Sequence, residues 1–97
     1  MLGDVYLEKN DAGQAVLKYD QALKLKPNLP EAYVRKGKIY VRAKNYQLGL
    51  TNYEDGLKVD PNYPPLYREM GELYNKFGKY AKAIESYKKY VAMTDKS

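Results

Sequence analysis

Residues 33–61 read YVRKGKIYVRAKNYQLGLTNYEDGLKVDP, and residues 67–90 read YREMGELYNKFGKYAKAIESYKKY. Shifted by 34 positions, the two stretches coincide at their landmarks. Tyr33 falls on Tyr67, Gly37 on Gly71, Tyr40 on Tyr74, Tyr46 on Tyr80 and Tyr53 on Tyr87. The same interval runs backwards to Gly3, Tyr6 and Tyr19, and it pairs Pro27 with Pro61. Several series sharing one period mark a repeat architecture. The 97 residues therefore read as one domain of stacked units: 1–29, which lacks its start, then 30–63 and 64–97.

Inside a unit the spacing is helical. Tyr33, Gly37 and Tyr40 lie at i, i+4 and i+7, one face of a helix, and Leu50, Tyr53 and Leu57 repeat the pattern. The next unit carries Tyr67, Met70, Gly71 and Tyr74 on one stripe, then Tyr80, Ala83, Ile84, Tyr87 and Val91 on a second. Pro27 and Pro61 end helices, because proline lacks an N–H and disfavours helical geometry in the residue before it. Pro30, Pro64 and Pro65 suit a first helical turn, where the missing N–H costs nothing. Lys44-Asn45 and Gly78-Lys79 mark the turn within each unit, and Gly78 suits a left-handed C-cap. Six helices are expected, over 1–9, 11–25, 31–43, 46–58, 65–77 and 80–93. Period-two alternation is absent, so no strand is expected. Two short helices cannot bury their apolar faces alone, so the units must stack into an all-α, right-handed solenoid of antiparallel helical hairpins.

Composition narrows the chemistry. The chain has no His, Cys or Trp, and its only serines are Ser86 and Ser97. That excludes a zinc finger, a disulfide framework, a thiol nucleophile and a Ser-His-Asp triad. No cofactor or metal site is expected. No apolar run approaches the roughly 18 residues of a membrane span, and no charged-then-apolar leader opens the chain. The net charge is +5, distributed as 0, +2 and +3 over the units (four basic against four acidic residues, six against four, seven against four).

The pattern resembles the tetratricopeptide repeat, whose signature is W-x2-L-G-x2-Y, then A-x3-F, then P. The first unit supplies Leu2-Gly3-x2-Tyr6, Ala15-x3-Tyr19 and Pro27. The second supplies Tyr33-x2-Lys36-Gly37-x2-Tyr40, Gly49-x3-Tyr53 and Pro61, and the third Tyr67-x2-Met70-Gly71-x2-Tyr74 and Ala83-x3-Tyr87. Ala22, Gly56 and Tyr90 fall where the family carries another small residue. Tyrosine replaces Trp and Phe throughout, which keeps the aromatic bulk and adds a hydroxyl needing a partner. Lys36 stands at a Leu position, so its stem is expected to pack and its ammonium to reach water. Gly49 and Gly56 stand where alanine is usual, and each is expected to cost about 1 kcal/mol as a local helix weakness. Their alternative use is to admit a close neighbour. Tyr90 at a small-residue position suggests that the last helix does not meet a following unit in the usual way.

The ends depart as well. The first helix starts late, and no polar-faced helix follows the third unit, although solenoids generally need such caps. The expectation is a piece of a longer protein, the alternative being open ends that pair with another copy.

The resemblance implies a binding scaffold with a partner segment in the concave groove lined by the first helix of each unit. Carried over by position, the groove residues are Asp4, Leu7 and Glu8 in the first unit. In the second they are Glu31, Val34, Arg35, Lys38, Val41 and Arg42, and in the third Arg68, Glu69, Glu72, Asn75 and Lys76. Arg35, Lys38 and Arg42 form a basic stripe at i, i+3 and i+7, so a partner of acidic character is expected. The chaperone-binding members of the family grip a C-terminal carboxylate. Their positions read Asp4, Arg35, Pro65 and Glu69 here, or Val34, Lys38 and Glu69 one unit later, and neither set keeps that grip.

Two further readings remain. Nucleic acid could meet Lys79, Lys82, Lys88 and Lys89 on the last helix, with tyrosines to stack on bases, but the charge falls short of a dense basic patch. Self-association could use Tyr90, Val91 and Met93 as an apolar patch. Catalysis is the weakest reading. Glu69 and Glu72 could pair as carboxylates, yet Glu72 and Lys76 at i, i+4 suit a surface ion pair. Lys82 and Ser86 share a face without a third group, and Gly78-Lys79 lacks the frame of a phosphate loop.

Overall fold

The computed structural model describes residues 11–95. The helix expected over 1–9, with Asp4, Leu7 and Glu8, lies outside the described residues. Within them are five helices and no strand: α1 (Asp11–Leu25), α2 (Pro30–Arg42), α3 (Tyr46–Val59), α4 (Pro64–Lys76) and α5 (Tyr80–Thr94). Each begins and ends within a residue of the expected position.

Prolines set the starts. Leu29 and Tyr63, each before a proline, take nearly the same extended backbone (φ −96° and −93°), and α2 and α4 begin at the next residue. The turn before α4 is closed by the Asp60 carboxylate, which accepts the Asn62 N–H at 3.0 Å across Pro61. The turns inside the hairpins match too. The Lys44 N–H bonds Val41 O at 2.9 Å and the Gly78 N–H bonds Asn75 O at 3.0 Å, 34 positions on.

The helices pair as hairpins, α2 with α3 and α4 with α5, and the hairpins stack through α1–α2, α3–α4 and α2–α4 contacts. Val34, Leu50, Tyr53, Leu66, Met70, Leu73, Tyr74 and Ala83 form the core. Tyr53, Leu66 and Leu73 are its largest fully buried side chains. The Tyr67 hydroxyl finds its partner by donating to the Pro61 carbonyl, which ties α4 to the turn before it.

Three expectations need correction. Gly49 and Gly56 are buried close approaches rather than tolerated weaknesses. A Cβ on Gly49 would sit 2.6 Å from Val41 Cγ2 and 3.1 Å from the Gly37 carbonyl, and one on Gly56 would sit 3.0 Å from Leu66 Cδ2 and 3.1 Å from Tyr33 Cβ. The helices come together there because the backbone is bare. Second, the Lys36 ammonium is not left to water alone. It pairs with Asp20 of α1, and the side chain is only 14 % exposed. Third, of the second stripe in the last unit only Ala83 is buried; Tyr80, Ile84 and Val91 are exposed, and Tyr87 lies against Gly71 of α4 with 36 % of its surface exposed. Ile84, Tyr87 and Val91, with Lys88 and Ala92, line an apolar patch on α5. Tyr90 and Met93, expected in it, are half-buried.

Candidate functional site

Two depressions flank α2, and they are the same place one repeat apart. The first (≈ 470 Å³) is lined by Ala12, Ala15 and Tyr19 of α1, by Arg35, Lys38, Ile39 and Arg42 of α2, and by Ala43. The second (≈ 350 Å³) is lined by Tyr46 and Tyr53 of α3 and by Glu69, Glu72 and Lys76 of α4, with Lys38, Val41, Arg42 and Lys44 forming a third wall. A shift of 34 carries Ala12 to Tyr46, Tyr19 to Tyr53, Arg35 to Glu69, Lys38 to Glu72 and Arg42 to Lys76. Shifted back by 34, the third wall's Lys38, Val41, Arg42 and Lys44 fall on positions 4, 7, 8 and 10, outside the described residues. The second therefore shows the groove with its walls described.

The 34-residue shift also shows how the charges are arranged. Arg35 and Lys38 in one unit become Glu69 and Glu72 in the next. Cations of α2 thus face carboxylates of α4. Glu69 is buried (8 % exposed). Its carboxylate meets the Arg68 guanidinium at 3.1 Å and the Lys38 ammonium at 3.9 Å. The contact with Glu69 is the main force raising the Arg68 pKa, against an opposing effect of burial. Arg68 also lies over the Tyr90 ring, 5.9 Å from its centroid, which draws it towards α5. Arg35 turns to Glu31 on its own helix at 3.1 Å. That hydrogen bond, followed by one to Tyr19, pushes the Arg35 pKa upward. Half-exposed pairs of this kind contribute little to stability, but they decide which charges remain available.

Of the fourteen groove positions expected from the sequence, six line the second depression together: Lys38, Val41, Arg42, Glu69, Glu72 and Lys76. Arg35, with Glu31 as its ion-pair partner, stands on the side towards α1. Arg68 is engaged with Glu69 and Tyr90. Asp4 is outside the described residues. Val34 is a correction. It is 6 % exposed and packs in the core with Leu50, Tyr53, Leu66 and Met70, so it presents almost no surface to a ligand. The ion pair expected between Glu72 and Lys76 is not formed. Among the described residues neither side chain has an ion-pair partner within 4.0 Å.

Three lining residues were not expected as groove positions: Lys44, Tyr46 and Tyr53. Tyr53 closes the floor. Burial pushes its hydroxyl pKa well up, and the Glu69 and Glu72 charges add to the effect. Lys44 is the least expected. Its φ is +65°, a left-handed conformation that only Gly78 shares among the described residues. Alignment of the two hairpin turns carried the signal, since glycine stands at 78 and lysine at 44.

The fold and this groove define a helical-hairpin repeat scaffold of the protein-interaction class. Models of the tetratricopeptide repeat match residues 3–44, 30–63 and 52–85, and the chain is a tetratricopeptide-repeat array. The match over 52–85 starts within α3 and ends within α5, as a periodic pattern permits. Two crystal structures of MamA share the fold, with TM-scores of 0.77 and 0.76 at 22 % and 21 % identity. They align with 96 % and 95 % of this chain but with 54 % and 50 % of their own, so the chain spans about half their length. No curated protein sequence matches it. Among the described residues no helix is long and apolar enough to cross a membrane.

Proposed function

We propose that this array is a docking module that holds a segment of a partner protein along the groove between α2 and α4. The observation that carries this reading is the second depression. It joins half-buried apolar surface (Val41, Tyr46) to two cations, Arg42 and Lys76, that have no carboxylate within 4.0 Å among the described residues, which is the mixture that recognises a peptide's apolar and anionic side chains together. The Lys38–Glu69 contact, at 3.9 Å, spans the two walls. Glu72 opposes acidic side chains at one point and so gives the groove a register, while Glu31 and Arg35 form its edge towards α1. The partner is a segment of acidic character with apolar residues interspersed. Residues 1–97, as units 1–29, 30–63 and 64–97, work as one array in this reading.

The test is selection of short random displayed peptides on the immobilised chain, repeated with an Arg42→Glu/Lys76→Glu variant. Lys38 is left intact because a glutamate there would face buried Glu69. Enrichment of acidic, apolar-containing peptides by the wild type and its loss in the variant is the expected result. Equal enrichment by both would remove the groove from consideration.

A further inference from the structure

Arg42 and Lys76 occupy equivalent positions, each the last residue of its helix. Their charges complement the negative end of the helix dipole, so their presence needs no ligand. Lys44, just past the end of the first of these helices, shares the dipole's benefit, but the dipole does not account for its backbone. It occupies the turn at φ +65°, where a β-carbon is disfavoured, while the equivalent turn uses Gly78 at φ +77°. The two turns make the same backbone hydrogen bonds. Lys44 and Gly78 donate to Val41 O and Asn75 O, and the next residues, Asn45 and Lys79, donate to Tyr40 O and Tyr74 O at 2.8 and 2.9 Å. Glycine would therefore serve the fold at 44 as it does at 78. What lysine adds is a cation on the wall that already holds Arg42, opposite Lys76. Among the described residues none of the three has a carboxylate within 4.0 Å, whereas Glu69 in the same depression is already engaged by Arg68 and Lys38. Backbone strain that a neighbouring repeat avoids is the kind of cost retained for a site's chemistry.

We propose that Arg42, Lys44 and Lys76 form an oxyanion subsite at the α2/α4 end of the groove, taking a carboxylate or phosphoryl group from the docked segment. The subsite rests on the groove reading above and adds to it where the anionic side chain sits. Arg42 supplies a planar fork of donors and the lysines two point charges, an arrangement that favours an anion over an amide of the same shape. Glu72 on the same wall keeps the subsite from accepting a run of acidic residues without register.

The probes are blocked peptides of sequence Ala-Leu-Xaa-Leu-Ala, with Xaa as Glu, phosphoserine or Gln. Amide shifts of the full chain are followed on titration, and urea midpoints are measured alongside. The Glu or phosphoserine peptide should shift the amides of Ala43, Lys44 and Asn45, and the Gln peptide should not. The tighter of the two anionic peptides identifies the source of the oxyanion. Lys44→Gly should weaken that peptide about fivefold, the size of one partly exposed charge contact. It should also raise the urea midpoint, because the left-handed strain is relieved. A variant that binds as the wild type does overturns the subsite but leaves the groove standing, provided Arg42→Glu/Lys76→Glu still loses the peptide. If that double variant binds normally, or no peptide binds the wild type, the groove itself fails and the subsite with it. A lower urea midpoint for Lys44→Gly would refute the strain argument directly.

Discussion

Gly37 and Gly71 hold the same position in successive repeats, yet alanine should act very differently at the two. At Gly37 an added Cβ would lie 2.3 Å from Tyr53 Cε1, 2.6 Å from Cδ1 and 3.0 Å from Cζ. Carbon atoms rest at about 3.5–4.0 Å, so the overlap exceeds an ångström at the nearest atom. The Tyr53 ring is 1 % exposed and shares the core with Leu50 and Leu66, so it cannot swing aside without moving α3 against α4. At Gly71 the nearest atoms are Tyr87 Cε1 and Cζ, both 2.9 Å away. That ring is 36 % exposed, so it has room to give way that the Tyr53 ring lacks. In both helices alanine gains about 1 kcal/mol of helix propensity over glycine. Against this, overpacking at an immobile ring costs about 3 kcal/mol, the upper part of the usual range. Gly37→Ala should therefore lose about 2 kcal/mol net, while Gly71→Ala should fall within about 0.5 kcal/mol of the wild type. Urea unfolding followed by far-ultraviolet circular dichroism reads both values. Equal losses at the two sites would mean that the glycine is required by backbone geometry common to the repeats, and the ring argument would be wrong.

Gly56→Ala should destabilise by roughly 1 kcal/mol despite its better propensity, because Leu66 and the Tyr33 β-carbon both stand in the way; a rise in the urea midpoint would restore the weak-helix reading. Tyr67→Phe removes the hydroxyl that donates to Pro61 and should cost about 1 kcal/mol, with an unchanged midpoint showing that water replaces the bond freely. Tyr53 carries a hydroxyl whose folded pKa is raised chiefly by burial, so its contribution is present below the unfolded tyrosine value near ~10 and is lost as pH rises above it. Stability should fall steeply on the alkaline side, and Tyr53→Phe should flatten that fall; identical alkaline limbs for the two proteins would assign it to other groups.

The helices and their limits were legible because prolines, turn residues and a period of 34 all speak locally. The groove was legible only in part. Position within the repeat identified Lys38, Val41, Arg42, Glu69, Glu72 and Lys76, since a helix face is fixed by spacing. It misplaced Val34, because the sequence does not say how closely α3 and α4 press on α2. It missed the mutual neutralisation of Lys38 and Glu69, which lie on different helices and become neighbours only when the hairpins stack. Gly49 and Gly56 read as weak helix positions for the same reason. Propensity is a property of one helix, whereas the bare backbone there serves a second one. Lys36 shows the limit for charges. Its amphipathic stem suggested an escape to water, and Asp20 on α1 provided a closer destination.

Tyr90 stands where the preceding hairpin has Gly56. At Gly56 the next hairpin's Leu66 comes so near that even a methyl group would be only 3.0 Å from it. A phenol ring at the corresponding place on α5, held under Arg68, denies that approach to anything arriving in the same orientation. Repetitive scaffolds carry a hazard of their own: each end is a template for the other, and a head-to-tail contact that does not close propagates as a filament. A ring in that place removes the bare backbone on which the α3–α4 approach depends, so any element packing on α5 in that manner must stand further off at Tyr90 than Leu66 does at Gly56.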